Sequence, residues 1–327
     1  MAKLLVTGGA GYIGSHTLIA VREAGHDAVV VDDLREGRAF LAGESPLVRC
    51  DVGDEDAMRR VFAEHGPFDG ILHFAAYLVV PESVADPLKY YRNNVAGTAT
   101  LLAVALEHDC KAFVLSSTCA TYGAVEHVPI TEGTPQAPIN PYGASKWMVE
   151  RILADSETAH GLRWAALRYF NACGADPEGR AGECHEPEIH LIPSALEAVA
   201  GLRGPMKLFG TDYPTPDGTC IRDYIHVSDL ADAHVRAVEA LLAGRSVGPR
   251  NLGTGVGSSN RQVLAAIERV TGRPVPHEEA PRRPGDPPEL VADPTSFKRE
   301  FGWEPTHSDL DTIVATAWAW LRKWKEL

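Results

Sequence analysis

The sequence predicts an α/β protein in which a doubly wound parallel sheet is followed by a smaller, loop-rich C-terminal lobe. Through the first half of the chain, short apolar segments alternate with segments of helical periodicity, which is typical of a parallel sheet covered on both faces. A glycine-rich turn at residues 7–14 joins the first strand to the first helix. After Asn171 the alternation gives way to frequent glycine and proline, which indicates a change of lobe.

The first strand (residues 3–6), the glycine-rich turn and the first helix (residues 12–24) have the order of a dinucleotide-binding unit. Gly8 permits the tight turn, Gly11 lets a pyrophosphate approach the helix N-terminus, and Gly14 lets helix and strand pack closely. The glycine spacing is G-x-x-G-x-x-G. Together these features are typical of a Rossmann-type domain.

The second strand, residues 28–31, ends in Asp32, which lies eighteen residues after Gly14. A carboxylate at this position accepts hydrogen bonds from the ribose hydroxyls of an adenosine and repels a 2′-phosphate. The sequence therefore favours NAD over NADP as the bound dinucleotide.

The remaining elements follow in chain order. Strands are predicted at residues 47–50, 70–74, 112–115 and 164–168, and helices at residues 55–65, 90–108, 141–160, 227–243 and from 310 onward. Ser228 or Asp229 is the expected N-cap of the helix at 227–243. We assign residues 1–171 to an NAD-binding Rossmann domain, to which residues 227–254 could return, and residues 172–327 to a substrate-binding lobe.

Composition limits the classes of partner. The 327 residues carry a net charge of −13, which argues against nucleic acid or an anionic membrane as the main partner. No apolar run is long enough to span a bilayer, and the chain enters its first strand without a signal peptide. The six cysteines are scattered, as expected for reduced thiols in a cytoplasmic protein. Cys184, His185 and His190 match no zinc pattern, so we expect no metal.

A tyrosine and a lysine provide a candidate general base. Tyr142 and Lys146 are four residues apart near the start of the helix at 141–160, so their side chains share one helix face. An ammonium beside a phenol stabilises the phenolate, so we expect the pKa of Tyr142 to fall toward neutrality, where a phenol can deprotonate a hydroxyl. Thr118, at the end of a strand, offers a second hydroxyl that could relay a proton.

Two arginines are candidates to hold an anion in this acidic chain. Arg222 and Arg283 are expected in rigid loops flanked by glycine and proline, and a guanidinium fork suits a diphosphate. Surface salt bridges are the alternative for either arginine. Phe209 could stack on a planar base, although core packing is the alternative.

Several motifs carry a family resemblance. Residues 7–16, 90–95 and 116–118, together with Tyr142 and Lys146, resemble the extended short-chain dehydrogenase/reductases. Residues 167–171, 222–227, 251–255 and 281–286 narrow the resemblance to the UDP-glucose 4-epimerases of that family. The similarity covers nearly the whole chain, and the combination is more specific than any one motif.

The resemblance implies NAD-dependent epimerisation at C4 of a UDP-hexose, UDP-galactose or UDP-glucose, through a transient 4-keto sugar. It also implies a homodimer formed by the helices that carry Asn93 and Tyr142. The implied catalytic residues are Tyr142, Lys146 and Thr118. The implied cofactor-binding residues are Gly8, Gly11, Tyr12, Ile13, Asp32, Asp33, Asp51, Val52, Phe74, Ala75, Ala76, Asn93, Ser116, Tyr142, Lys146 and Tyr169. The implied substrate-binding residues are Thr118, Tyr142, Asn171, Leu191, Phe209, Arg222, Arg283, Asp286 and Leu290.

The chain departs from the family pattern at three positions. Leu78 and Pro81 replace a common lysine and glycine near the cofactor phosphates, so the cofactor is expected to be held less tightly. Leu290 occupies a sugar-pocket position where a tyrosine goes with exclusion of N-acetylated sugars and a small residue with acceptance. The sugar therefore stays open: UDP-glucose/galactose first, the N-acetyl pair second, and a pentose or uronate pair third.

Two rival functions are weighed against this one. A sugar-nucleotide dehydratase or decarboxylase carries an acidic residue just after the catalytic hydroxyl, whereas Thr118 is followed by residues 119–122, Cys-Ala-Thr-Tyr. A non-enzymatic NAD sensor is expected to lack the Tyr142 and Lys146 pair, which this chain retains.

Overall fold

The computed structural model describes residues 1–283 and 285–327, and it divides the chain into two units. Unit 1 comprises Met1–Ala124, Glu132–Arg168 and Ala231–Asn251. Unit 2 comprises Val125–Thr131, Tyr169–Leu230 and Leu252–Leu327. Each unit is therefore assembled from three separate segments of the chain.

The described strands and helices are numbered along the chain. The strands are β1 Lys3–Thr7, β2 Asp27–Asp32, β3 Leu47–Arg49, β4 Gly70–His73, β5 Ala112–Thr118, β6 Arg163–Tyr169, β7 Asn171–Cys173, β8 Met206–Phe209, β9 Ile221–His226, β10 Gly248–Leu252, β11 Gly257–Ser259, β12 His277–Ala280 and β13 Glu289–Leu290. The helices are α1 Tyr12–Glu23, α2 Glu55–His65, α3 Val80–Ala85, α4 Pro87–Tyr90, α5 Thr98–Glu107, α6 Pro141–His160, α7 Leu191–Ala200, α8 Val227–Leu242, α9 Asn260–Thr271, α10 Thr295–Phe301 and α11 Leu310–Trp324.

Seven strands form the sheet of unit 1, in the order β10-β6-β5-β4-β1-β2-β3. β1 pairs in parallel with β2 on one side and β4 on the other, and parallel pairing continues to β3 and β5. The strand order therefore reverses at β1, which is the point where doubly wound sheets bind ligands beyond the carboxyl ends of their strands. The predicted doubly wound α/β fold is confirmed.

The core of unit 1 joins the sheet to its helices. Leu5, Ile71 and Phe113 from three neighbouring strands pack with Met58 of α2 and Leu101 of α5, and all five side chains are at most 1% exposed. Burial of large apolar side chains on this scale is the main source of stability in such a layer. The strand ends that follow these residues are thereby held in fixed positions.

β4 ends one residue earlier than predicted, because the chain turns toward β1. The amide groups of Phe74 and Ala75 both donate to the Thr7 carbonyl oxygen, at N···O distances of 2.8 and 3.1 Å. These bonds bring the loop after β4 against the glycine-rich turn that follows β1.

The single regular helix predicted at residues 90–108 is wrong. Helix α4 ends at Tyr90, a π-helical stretch occupies Tyr91–Gly97, and α5 starts at Thr98. Apolar periodicity does not distinguish a wide π turn from an α turn, and π turns are frequent at functional sites.

The predicted N-cap of the helix at 227–243 is also wrong. α8 begins at Val227, so Ser228 and Asp229 lie inside its first turn. The Asp229 carboxylate instead accepts hydrogen bonds from the amides of Thr306 and His307, at 3.1 and 2.9 Å. Asp229 therefore fixes the segment before α11 rather than capping its own helix.

Unit 2 contains two small sheets. β9 pairs with β11 and β13 and also with β7, while β8 pairs in parallel with β12. Its core joins Ile192 and Leu196 of α7 to Val263 of α9 and Ile313 of α11. Within the described residues, no helix has both the length and the apolar character needed to cross a membrane.

Candidate active site

The glycine-rich turn after β1 has the shape that a dinucleotide pyrophosphate requires. Gly8 has a φ of +72°, and a Cβ there would lie 2.5 Å from the Ala75 amide nitrogen. A Cβ at Gly14 would lie 2.2 Å from the Gly8 carbonyl oxygen. Gly11 precedes α1, and no described side chain caps that helix. Backbone N–H groups at the N-terminus of a helix without a side-chain cap are the chemistry that binds phosphate.

Asp32 lies at the end of β2 beside this turn. Its carboxylate accepts hydrogen bonds from the Ala10 amide at 3.0 Å and the Leu34 amide at 2.9 Å, and the residue is 7% exposed. Burial raises the pKa of this carboxyl, while the two backbone hydrogen bonds oppose the rise. The carboxylate is thus held next to the turn, as binding of a ribose diol requires.

Asp33 and Asp51 are brought together by Arg35. Arg35 lies 3.1 Å from an oxygen of each carboxylate, through Nε to Asp33 and through a terminal nitrogen to Asp51. Asp51 also accepts a hydrogen bond from the Gly53 amide at 2.8 Å, and the intervening Val52 is buried. The predicted cofactor residues Asp51 and Val52 therefore lie just after β3, and Arg35 links Asp51 to Asp33.

The loop after β4 carries Phe74, Ala75 and Ala76, which are all half-buried. Asn93 lies in the π-helical stretch, where its side-chain nitrogen donates to Asn94 Oδ1 at 3.0 Å. Asn94 Nδ2 in turn donates to Ser145 Oγ on α6 at 3.0 Å. The π stretch is thereby tied to the helix that carries Tyr142.

Tyr142 lies in the first turn of α6. Asn140 caps this helix, since its side-chain oxygen accepts from the Gly143 amide at 2.8 Å. A Cβ at Gly143 would lie 2.4 Å from the Ala120 carbonyl oxygen, so the first turn of α6 packs directly on the backbone two residues after Thr118. The structure therefore brings the segments of Tyr142 and Thr118 together. Thr118 is 7% exposed, and its hydroxyl oxygen accepts from the Ala120 amide at 3.1 Å.

Lys146 lies one turn further along α6 and is almost completely buried. Its Nζ donates to the Ser116 carbonyl oxygen of β5 at 2.8 Å, and the residue is 4% exposed. Burial lowers the pKa of this ammonium to about 8, although the charge of Glu150 opposes the change. The same ammonium contributes to the lowered pKa of His73, about 3, of which burial is the larger cause. Lys146 therefore places an ammonium on the helix of Tyr142, and the pKa of this ammonium, about 8, is close to physiological pH.

A buried ion pair, which was not predicted from the sequence, lies behind this lysine. Glu150 and Arg168 are 4% and 3% exposed, and Arg168 Nε donates to Glu150 Oε1 at 3.0 Å. Ser117 Oγ donates to the same oxygen at 2.5 Å, and Arg168 also donates to the Tyr122 hydroxyl at 2.8 Å. The pair thus fixes the strand residue between Ser116 and Thr118. No local pattern could have revealed it, because Glu150 and Arg168 are eighteen residues apart and lie on different elements.

The small sheet of unit 2 gathers three predicted substrate residues. Arg222 lies within β9 and not in the predicted loop, so that prediction is wrong, and its Cα pairs in register with Leu290 of β13. Asn171 of β7 donates to the Asp223 carbonyl oxygen at 3.0 Å. A terminal nitrogen of Arg222 lies 3.6 Å from Asp286 Oδ1. Arg222 thus has a carboxylate neighbour that a bound anion would have to displace or share.

Arg283 and Phe209 form a second pair in unit 2. The Arg283 guanidinium lies over the Phe209 ring, 4.1 Å from its centroid. Phe209 ends β8 and pairs in register with Ala280 of β12, three residues before Arg283. Pro284 in the same motif lies outside the described residues. Phe209 is half-buried and Arg283 exposed, so a planar base could reach this pair from solvent.

Asp223 organises the loops around this sheet, a role that the sequence analysis did not assign. It is fully buried, and its carboxylate accepts from the amides of Thr254, Gly255 and Ala292 at 2.8, 3.1 and 3.2 Å. Burial raises the pKa of this carboxyl, and these hydrogen bonds oppose the rise. Two segments, one at residues 254–255 and one at Ala292, are thereby fixed to β9 next to Arg222.

The remaining predicted residues lie at the ends of elements. Tyr12 and Ile13 open α1, Tyr169 ends β6, and Leu191 opens α7. Tyr12 is buried, and the other three are half-buried. Their positions are fixed by the fold, and their roles stay predictions.

A family model and several known proteins match this chain. The model of the NAD dependent epimerase/dehydratase family matches residues 4–253. The UDP-glucose 4-epimerase of Azospirillum brasilense is 52% identical over 321 residues, which cover 98% of this chain and 92% of that protein.

Two solved structures extend the similarity to the fold. The UDP-glucose 4-epimerase from Brucella ovis, in complex with NAD, superposes with a TM-score of 0.95 at 48% identity and covers 98% of each chain. The UDP-glucose 4-epimerase from Bifidobacterium longum, in complex with NAD+ and UDP, superposes with a TM-score of 0.93 at 38% identity, again over 98% of each chain.

Proposed function

The chain belongs to the NAD dependent epimerase/dehydratase family, and from this premise we propose that it interconverts UDP-galactose and UDP-glucose at C4 of the hexose. The observation that carries the proposal is the catalytic group of unit 1. Tyr142 opens α6, Lys146 is buried one turn later, and the same helix packs on the segment that follows Thr118. The full-length similarity to UDP-glucose 4-epimerases supports the same reaction.

The cofactor is NAD, and the residues that would hold it fit that group. The helix N-terminus after Gly11, which no described side chain caps, suits the pyrophosphate, and the Asp32 carboxylate suits the adenosine ribose. NAD, when bound, supplies the acceptor for the C4 hydride and returns the hydride to the opposite face of the sugar.

Tyr142 acts as the general base in this reaction. Its phenolate removes the proton from the hexose O4 hydroxyl, and the Thr118 hydroxyl shares the same oxygen and relays the proton. The Lys146 ammonium stabilises the phenolate, because it is a nearby positive charge with little water around it. When the 4-keto sugar is reduced again, Tyr142 returns the proton to O4.

The nucleotide is assigned to the residues of unit 2. Arg222 and Arg283 pair with the diphosphate, and Phe209 stacks on the uracil. Asn171, Leu191, Asp286 and Leu290 complete this set. A firm hold on UDP with a loose hold on the hexose lets the 4-keto sugar turn over before reduction. Leucine at position 290 is intermediate in size between the tyrosine that goes with exclusion of N-acetylated sugars and the small residue that goes with acceptance. The UDP-N-acetylhexosamines are therefore the second candidate substrate pair.

The rival dehydratase or decarboxylase reaction requires an acidic group beside the catalytic hydroxyl. Residues 119–121 form a short 3₁₀ turn after Thr118 and contain no carboxylate. Glu150 of α6, whose carboxylate reaches Ser117 beside Thr118, is held by Arg168 and Ser117. It is therefore occupied in a buried ion pair and is not available as an acid.

We also propose a homodimer formed by α5, the preceding π stretch and α6. Trp147 and Met148 are adjacent on α6 and 41% and 37% exposed, so they offer apolar surface that a second subunit could cover. Ala96, Ala99 and Ala103 are exposed at helical spacing and would let two helices approach closely. Sedimentation of the wild type and of Trp147→Glu tests this, with a dimer and a monomer as the respective expectations. A monomeric wild type contradicts it.

The experiment that tests the activity is product analysis with UDP-galactose as substrate and NAD present. The expected product is UDP-glucose, formed without net consumption of NAD. Tyr142→Phe should lower the rate by about 10² to 10⁴, the usual contribution of a general base, while its folding and NAD binding stay at the wild-type level. A panel with UDP-N-acetylglucosamine, UDP-pentose and UDP-uronate substrates ranks the sugars. If the protein converts none of these UDP-sugars, the proposal is overturned.

A further inference from the structure

The loop between β7 and α7 in unit 2 gathers four metal-ligating side chains. Glu183, His185, Glu188 and His190 each offer one donor atom, and these four atoms all lie within 4.8 Å of one another. In the described part of the chain, no other cluster of three or more such donors is found. The cluster comes from eight consecutive positions with the spacing Glu-x-His-x-x-Glu-x-His.

The backbone fixes these donors in place. Glu188 Oε1 accepts from the amides of Ile189 and His190, both at 2.7 Å, which turns the carboxylate toward the following residues. His190 is the N-cap residue of α7, so its position is set by the first turn of a well-packed helix. The cluster is therefore part of a built segment of unit 2.

Short contacts connect the donors. Glu183 Oε1 lies 2.9 Å from His185 Nδ1 and 2.7 Å from His190 Nδ1. Glu188 Oε1 lies 2.9 Å from the same His190 nitrogen. Two imidazole nitrogens and two carboxylate oxygens thus form one compact cluster linked by direct contacts.

The charge of the cluster calls for positive compensation. The side chains of Glu183 and Glu188 are 10% and 4% exposed, and two buried carboxylates need positive charge nearby, which His185 and His190 supply only when they are protonated. Among the described residues, their ion-pair partners are His185 and His190 and include no lysine or arginine. One divalent cation would balance both carboxylates, and His190, 41% exposed, leaves a route from solvent.

We propose that Glu183, His185, Glu188 and His190 bind one divalent transition-metal ion of the zinc class. Imidazole nitrogen with carboxylate oxygen is a donor set that Zn²⁺ accepts, whereas Ca²⁺ and Mg²⁺ prefer oxygen alone. Tetrahedral Zn²⁺ with bonds of about 2.0–2.1 Å needs its donors about 3.3–3.5 Å apart, so the present contacts must open by about half an ångström. With four protein ligands the ion fixes the entry to α7 and takes no part in the hydride chemistry.

The test uses the full-length protein after removal of metal with a chelator. Isothermal titration with ZnCl₂ at about pH 8 should give one ion per chain with release of protons from the ligands, and MgCl₂ should give no such binding. The double variant His185→Gln/His190→Gln should weaken Zn²⁺ binding by more than about a hundredfold, because even the loss of a group behind a ligand costs tenfold to a hundredfold. The matched control, His127→Gln/His277→Gln, replaces two exposed histidines of the same unit and should bind as the wild type does.

Two results overturn the proposal: no stoichiometric Zn²⁺ binding by the wild type, or unchanged affinity in the His185→Gln/His190→Gln variant. If circular dichroism shows that this variant does not fold, the absorption spectrum of the wild type loaded with Co²⁺ tests the proposed site instead. A visible d–d spectrum of tetrahedral Co²⁺ that Zn²⁺ abolishes supports the site, and an octahedral or absent spectrum refutes it. None of these readouts depends on epimerase activity.

Discussion

Lys146 Nζ donates a hydrogen bond to the Ser116 carbonyl oxygen at 2.8 Å, which ties the helix of the proposed base to the strand that ends in Thr118. The bond places an ammonium where it is 4% exposed, on the helix face of Tyr142. A buried cation with a carbonyl partner keeps its position but loses its preference for the charged state. The protonation state of Lys146 should therefore set the upper pH limit of catalysis.

The first prediction concerns this pH limit. Below a pKa of about 8 the Lys146 ammonium is charged and supports the Tyr142 phenolate, and above it the amine is neutral and that support is lost. We expect kcat to fall as the pH rises through about 8. The titratable groups that interact with the ammonium are Glu150 on its own helix and His73 on β4, and the pKa of His73, about 3, keeps it neutral throughout. Tyr142 lies one turn earlier on the same helix.

Rate profiles of the wild type and of Lys146→Arg check this prediction. Arginine stays protonated over the whole pH range of the assay. The activity that Lys146→Arg retains should therefore fall only at a higher pH than that of the wild type. Lys111→Met, which removes an exposed lysine paired with Asp109, is the control and should keep the wild-type profile. An unchanged alkaline limb in Lys146→Arg would show that another group controls the rate.

The second prediction tests the proposed ribose contact. Asp32→Asn removes the charge of the carboxylate at the end of β2 and should weaken NAD binding by about tenfold to a hundredfold, the usual effect of losing charged hydrogen bonds. The preference for NAD over NADP should shrink as well, because the repulsion of a 2′-phosphate is lost. Titration of cofactor-free protein measures both constants. Asp27→Asn, at the exposed start of the same strand, should bind as the wild type does.

The third prediction uses two adjacent arginines. Arg283→Gln should raise KM for the UDP-sugar by about tenfold to a hundredfold with a smaller change in kcat, because the lost ion pair serves binding more than chemistry. Arg282→Gln is the matched control, since its guanidinium pairs with Asp212 at 2.7 Å and lies over the Tyr213 ring. Equal effects in the two variants would show that Arg283 has no special role in binding.

The fourth prediction concerns stability. Glu150→Gln breaks a buried pair and leaves the Arg168 cation without its counter-charge, which should lower the free energy of unfolding by about 3–5 kcal/mol. Asp155→Asn, one turn further along α6, removes an exposed partner of Arg151 and should cost less than about 1 kcal/mol. Urea unfolding measures both values. A cost for Glu150→Gln no larger than that of the control would contradict the role assigned to the pair.

Local sequence patterns were sufficient for part of this site. Asp32 was predicted because a strand end and a fixed distance from Gly14 define its position, and the structure places it beside the glycine-rich turn. The helix predicted to start after Pro141 and to run to about residue 160 spans Pro141–His160 in the structure, where Asn140 caps its start and Gly161 its end. Each of these features depends on residues that are close in sequence.

Contacts between distant segments could not be predicted in the same way. Arg222 was expected in a loop because of its glycine and proline neighbours, but β9 exists only through pairing with β7, β11 and β13. The Glu150–Arg168 pair joins two elements whose packing is set by the sheet. Glu183 and Glu188 become candidate metal ligands only because the folded loop brings them next to two histidines. In each case tertiary structure decides what the local pattern leaves open.

The position of β10 has a consequence for biosynthesis. This edge strand of the seven-stranded sheet is formed by Gly248–Leu252, long after its neighbour β6 ends at Tyr169. The ribosome synthesises the chain from its N-terminus, so about eighty further residues must be added after β6 before β10 can pair with it. Until then the edge of β6 that faces away from β5 is unpaired. A nascent or truncated chain would expose that edge to other strands, which makes it the point where aggregation during expression should begin.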